Sequence, residues 1–85
     1  MKNALPIDLL ECFEVSARHL SFTKAAQELG TSQPAVSQLI KKLEAYLGQQ
    51  LFERQHKGLS LSPAGKVLLN YAQTGLNSLK QGLLE

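Results

Sequence analysis

The chain has one cysteine, no tryptophan and only three prolines among its 85 residues. A single thiol cannot close an internal disulfide, so a reducing interior is the expected home. Cys12 has no companion ligands at metal spacing and borders an apolar stripe, so it reads as a small core residue rather than a nucleophile. No apolar run approaches the roughly 18 residues a membrane span needs. Met1 to Leu10 lacks the apolar centre of a signal peptide. His19 and His56 are far apart, and neither has an acid or nucleophile at catalytic spacing, so no enzyme activity is expected. Cys12 with His19 falls two ligands short of a metal site, and no cofactor is implied.

What is present fits one small globular domain. Hydrophobic residues make up 44% of the chain and charged residues 19%, too apolar for a disordered tail. A chain this short buries only about 60–65% of its unfolded surface, so its core is small. Net charge is +2, but it is unevenly spread. Residues 34–66 hold five basic side chains (Lys41, Lys42, Arg54, Lys57, Lys66) against two acidic ones (Glu44, Glu53). The segment before them is slightly acidic and the one after is neutral. A basic middle fits an electrostatic footprint on one face, and it fits an ordinary solvated surface equally well.

Periodicity predicts the elements. Pro6 and Asp8 suit a helix start, and Leu9, Leu10, Phe13, Ala17 and Leu20 recur at helical spacing. A short helix over Lys24 to Leu29 follows, with Ser21 and Thr23 as rival caps, and Gly30 stops it. Thr31 and Ser32 offer the next cap, with Pro34 just inside. The third helix, over about 33–47, places Val36, Leu39, Ile40, Leu43 and Leu47 on one face. Leu51, Phe52, Leu59 and Leu61 then bracket a polar segment with Gly58 as turn residue, a small two-stranded hairpin. Ser62-Pro63 opens a last helix running to Glu85. Its apolar positions Leu69, Ala72, Leu76, Leu79 and Leu83 step by three and four, an a/d seam. That seam either folds back on its own domain or pairs with a second copy, and Leu83-Leu84 at the end favour pairing.

The expected fold is therefore mainly α: a winged helix-turn-helix over residues 1–61, followed by a dimerisation helix over 62–85. Ala26 supplies the small residue a helix crossing needs, Gly30 the turn, and Val36 and Leu39 the anchors. The opposite face of the third helix presents Gln33, Ser37, Gln38, Lys41 and Lys42. Gln pairs bidentately with adenine, Ser serves either base type, and Ala35 suits a thymine methyl. Lys41 and Lys42 lie further along, where phosphates are the expected partners. Ser21, Thr23, Thr31 and Ser32 hold hydroxyls at helix starts, where free N–H groups attract phosphate. Arg54, His56 and Lys57 lie in the wing, within reach of the backbone or minor groove. Lys66 and Lys80 read as plain solvated residues. The rival class is a protein-pairing module, but exposed Gln, Ser and Lys on that helix favour DNA.

The runs Ser21-Phe22-Thr23-Lys24-Ala25-Ala26, Ser32-Gln33-Pro34-Ala35-Val36-Ser37, Leu43-Glu44, Leu47-Gly48, Leu51-Phe52-Glu53-Arg54 and Leu61-Ser62-Pro63-Ala64-Gly65 resemble the LysR family of bacterial transcriptional regulators. The resemblance covers nearly the whole chain from about Leu9. It implies cytoplasmic, nucleoid-associated DNA binding by a homodimer joined through the long helix, on an interrupted inverted repeat near promoters. It also implies that Gln33, Pro34, Ala35, Ser37 and Gln38 face the bases, while the preceding helix and the wing hold phosphates. Family members commonly carry Arg where this chain has Gln38, which shifts base preference onto Gln33, Ser37 and Gln38. They also continue into a two-lobed ligand-binding domain, so the chain is expected to be a separated or truncated domain. A small-molecule effector would act only through the part it lacks.

Overall fold

The computed structural model describes residues 6–56 and 58–84. Four helices and one hairpin follow in order: α1 (Ile7–His19), α2 (Phe22–Leu29), α3 (Gln33–Leu47), β1 (Phe52–Gln55), β2 (Gly58–Leu61) and α4 (Pro63–Leu84). Between α2 and Thr31, Gly30 takes φ 70°, ψ 37°, a left-handed conformation that costs glycine little. The end of α1 has no such glycine: Leu20 takes φ 50°, ψ 41°, at a cost of about 1–2 kcal/mol for a residue with a Cβ. Of the rival caps, Ser21 is the one used, its Oγ accepting from the Lys24 N–H at 3.1 Å. Ser32 Oγ caps α3 by accepting from the Ala35 N–H at 3.3 Å.

The hairpin is antiparallel, with Phe52 opposite Leu61, Arg54 opposite Leu59 and Gln55 opposite Gly58. The segment Glu53 to Gln55, polar and without apolar alternation, is strand rather than loop, leaving only two residues to link the strands. Lys57, assigned to the wing, lies outside the described residues, as does Glu85.

Phe13, Val36, Leu43 and Leu51 are fully buried at the centre. Phe52 brings the wing into this core: its ring meets Phe13 edge-on at 5.5 Å and Phe22 at 5.3 Å between centroids. On α3 the expected apolar face is narrower than the pattern suggested. Val36, Ile40 and Leu43 are buried and Leu39 packs alongside, but Leu47 is exposed.

The α4 seam is divided. Leu69, Ala72 and Leu76 turn inward; Ala72 is 8% and Leu76 9% exposed, and Ala72 and Leu69 join the core cluster that α1 contributes to. Leu79 and Leu83 are left 56% and 86% exposed. The first three residues assigned to pairing thus already serve their own domain. A 3-4 spacing looks the same whichever helix lies opposite.

An ion-pair cluster ties α1 to α2. Arg18 contacts Glu28 through both terminal nitrogens at 3.2 and 2.7 Å and Glu14 through Nε at 3.0 Å. His19 Nε2 lies 2.7 Å from Glu28 Oε1. Glu14 also accepts from Gln73 of α4 at 3.5 Å. The Arg18 guanidinium, then His19, hold the Glu28 carboxyl down at about 2, from an ordinary 4.5. A depressed folded pKa gives stability that is fully present above the unfolded value and lost as pH falls through the folded one. Glu28→Gln is therefore expected to flatten the loss of stability between about pH 4.5 and 2, read by urea unfolding across that range. Parallel pH profiles for the two chains would show that the cluster does not hold in solution.

Candidate nucleic-acid interface

Ala25 and Ala26 are buried on α2, which packs against both α1 and α3, and the side of α3 away from the core is open to solvent. Gln33, Pro34, Gln38, Lys41 and Lys42 are exposed there, while Ala35 and Ser37 are half-buried at its margins. The five residues assigned to bases share the N-terminal two turns of one helix.

The two lysines separate. Lys41 lines a cleft with Ser37, Phe22 and the wing residues Glu53 and Arg54. Lys42 lines a different groove, beside Ile7 and Leu9 of α1. Consecutive positions on a helix are about 100° apart, so one follows the wing and the other faces away from it.

A second cleft brings together groups from three elements: Ser21 and Thr23 at the start of α2, Gln33 at the start of α3, and Arg54 on β1. Arg54 is positioned by stacking, its guanidinium carbon 5.5 Å from the Phe22 ring centroid. Such a cation–π contact leaves the outer N–H donors free for an anion. Phe22, the first residue of α2, also lines this cleft, and helix N-termini favour negative charge. Thr31 and Ser32 are exposed in the turn between α2 and α3, and His56 at the tip of the hairpin. Ser21 and Ser32 each spend an oxygen lone pair on capping, which leaves the hydroxyl proton available to donate.

Two residues that sequence reasoning gave no part in placing the wing turn out to do so. Glu44 Oε2 accepts from the N–H groups of Leu51 and Phe52 at 2.8 and 3.3 Å. Ser62, expected only as a cap, also donates through Oγ to the Gln50 carbonyl at 2.6 Å. An acid on an otherwise basic helix was the one available signal for Glu44; nothing in local spacing marked its partners.

Elsewhere the chemistry is quiet. Burial pushes the Cys12 thiol up, against a smaller opposing effect from Ser16, so the thiolate is disfavoured. Among the described residues no three His, Cys, Asp or Glu side chains gather where a metal could sit. No described helix is long and apolar enough to cross a membrane.

Comparison with known proteins agrees with this geometry. A family model described as bacterial regulatory helix-turn-helix protein, lysR family, matches residues 7–66. A carbapenem-hydrolyzing beta-lactamase transcriptional activator of Serratia marcescens is 54% identical over 69 residues, covering 81% of this chain and 24% of that protein. The transcriptional activator AmpR of Pseudomonas aeruginosa is 54% identical over 65 residues, covering 76% of this chain and 22% of its own. The chain thus spans about a quarter of the length of these relatives. Among solved structures, the BenM DNA-binding domain in complex with catB site 1 DNA superimposes with a TM-score of 0.88 at 34% identity, covering 93% of this chain and 89% of that one. The CbnR DNA-binding domain in its DNA complex gives 0.83 at 32% identity, covering 92% and 90%.

Proposed function

We propose that this chain, which belongs to the lysR family of bacterial regulatory helix-turn-helix proteins, reads a specific double-stranded site near promoters as a homodimer on an interrupted inverted repeat. The observation that carries this is the exposed polar face of α3 beside an arginine fixed on the wing. Gln33, Pro34, Ala35, Ser37 and Gln38 enter the major groove and read base edges. Arg54 with Ser21 and Thr23 clamps one phosphate in the cleft they share, and Lys41 takes another along the wing side. Thr31, Ser32 and His56 meet the backbone around this pair. Lys42, turned away from the wing, reaches only a strand on the far side of the groove. Two structural relatives were solved in complex with DNA, which supports DNA as the partner. The protein works in the cytoplasm, on the nucleoid. A small-molecule effector, where the longer relatives sense one, acts on this part by way of α4.

The test is selection of bound duplexes from a random pool, followed by affinity measurements on the winner. Log K should fall with log salt at a slope of about −0.9 per phosphate engaged. Gln33→Ala should cost about 1–3 kcal/mol at one base step and relax preference there. Arg54→Ala should weaken all sequences alike and make the slope shallower by about 1. Binding that ignores salt, or equal losses on every sequence for both variants, would refute this division between base and phosphate.

A further inference from the structure

Three residues, Gln50, Leu51 and Phe52, lead from the end of α3 into the wing, and they are held from both sides. From α3, the single oxygen Glu44 Oε2 takes the N–H groups of Leu51 and Phe52. From the root of α4, Ser62 Oγ donates to the Gln50 carbonyl at 2.6 Å, and the Ser62 N–H donates to the Leu51 carbonyl at 3.0 Å. The same Oγ accepts from the Gly65 N–H at 3.0 Å, so one hydroxyl both caps α4 and latches it. Gly65 completes the seat, because a Cβ there would collide with the Leu51 carbonyl oxygen. Leu51 and Ser62 are both buried, so water does not compete freely for these bonds.

The bonds form a series: α3 to Glu44, Glu44 to the strut at residues 50–52, and the strut to Ser62 and α4. Beyond this strut, α4 leans on α1 and β2, and α3 on α1 and α2. We infer that Glu44 and Ser62 are positioning residues for DNA recognition: together they fix the angle between the reading helix and α4, and thereby the half-site spacing the dimer accepts. This rests on the dimeric, inverted-repeat function proposed above. The geometry makes the angle matter. A helix of 22 residues is about 33 Å long at about 1.5 Å per residue, so a tilt of about 5° at its root moves its far end by about 3 Å. That displacement is close to one base-pair step, about 3.4 Å along B-DNA.

The experiment uses the full chain and its Ser62→Ala, Glu44→Leu and doubly substituted forms; leucine keeps most of the side-chain volume and has no acceptor for the Leu51 and Phe52 N–H groups. Each is titrated against duplexes carrying two identical half-sites at a series of spacings, and against a duplex with one half-site. Each single variant loses two hydrogen bonds at the strut or its root and should lower the preference for the best spacing over its one-base-pair neighbours at least about fivefold, the size expected from one buried hydrogen bond. Half-site affinity should stay within about twofold. Because the links are in series, the double variant should lose little more than either single one, a coupling that independent sites would not show. Unchanged spacing profiles in both single variants overturn the inference, and so does a parallel drop in half-site affinity, which marks mere damage to the fold. A wild-type chain indifferent to spacing overturns the dimeric function itself, and this inference with it. Sharp wild-type tuning that survives both substitutions overturns the inference alone.

Discussion

Replacing Phe52 with alanine is expected to destabilise the domain by about 3–5 kcal/mol, the range for removing a large buried aromatic side chain. Phe52 is 6% exposed and is the one fully inserted strand residue, with Leu59 and Leu61 packing beside it at the edge of the core. Its ring is the shared neighbour of Phe13 from α1 and Phe22 from α2, both edge-on. Removing it opens a cavity and deletes two aromatic pairs, each worth about 0.5–1.5 kcal/mol beyond its buried area. A domain of this kind holds only about 5–15 kcal/mol in total, so the loss takes a large share. A second effect follows from position. Phe22 is also the platform under Arg54, so loosening it should weaken DNA binding on every sequence alike. Urea unfolding followed by circular dichroism checks the first effect and duplex titration the second. A cost below about 1 kcal/mol would mean that the wing packs elsewhere.

Much of this fold was legible because its signals are local. Ser32, Pro34 and the glycines that follow α2 and α3 mark the helix ends by chemistry that acts over a few residues, and the structure uses them there. Ser62-Pro63 marks the start of α4 in the same way. The end of α1 was less legible, because Leu20 adopts the left-handed conformation without a glycine to announce it. The two-stranded hairpin was legible, but the extent of its first strand was not, since the residues of Phe52–Gln55 after Phe52 are all exposed and show no alternation. Pro34 came from the family resemblance; the other residues proposed to face bases followed from a helical face, which needs only a period. The role of Glu44 did not, because its partners lie seven and eight residues on, across a helix end whose direction no pattern states. Lys41 and Lys42 were grouped by adjacency, whereas helix geometry sends them into different clefts.

The α4 seam shows the same limit and carries the other large prediction. Leu79→Lys with Leu83→Lys is expected to convert a two-chain species at micromolar concentration into a monomer, lowering the unfolding midpoint only by the share that pairing contributes and leaving the packing of the single domain intact. Both leucines are exposed and outside the core cluster, so charge there costs the isolated fold little. Leu84 beside them is exposed as well, and Val67 and Tyr71 extend the apolar surface toward the root of the helix. Gly75 and Gly82 each weaken a helix by about 1 kcal/mol relative to alanine, so the far half of α4 needs contacts to stay formed. A second copy of α4 can supply them. Losing the dimer also loses the intramolecular second binding event, so affinity for paired half-sites should fall about 10²–10⁴-fold while a single half-site is bound as before. Leu76→Lys gives the contrast. That residue is 9% exposed in the single chain, so the substitution should lower the unfolding midpoint whatever it does to pairing. Sedimentation and thermal unfolding, run on both variants, separate the two halves of the seam. A dimer that survives lysine at positions 79 and 83 would move the interface to the root of α4, onto Val67, Tyr71 and the exposed Leu47 beside them. There the contact would press on the same strut that joins α4 to the reading helix.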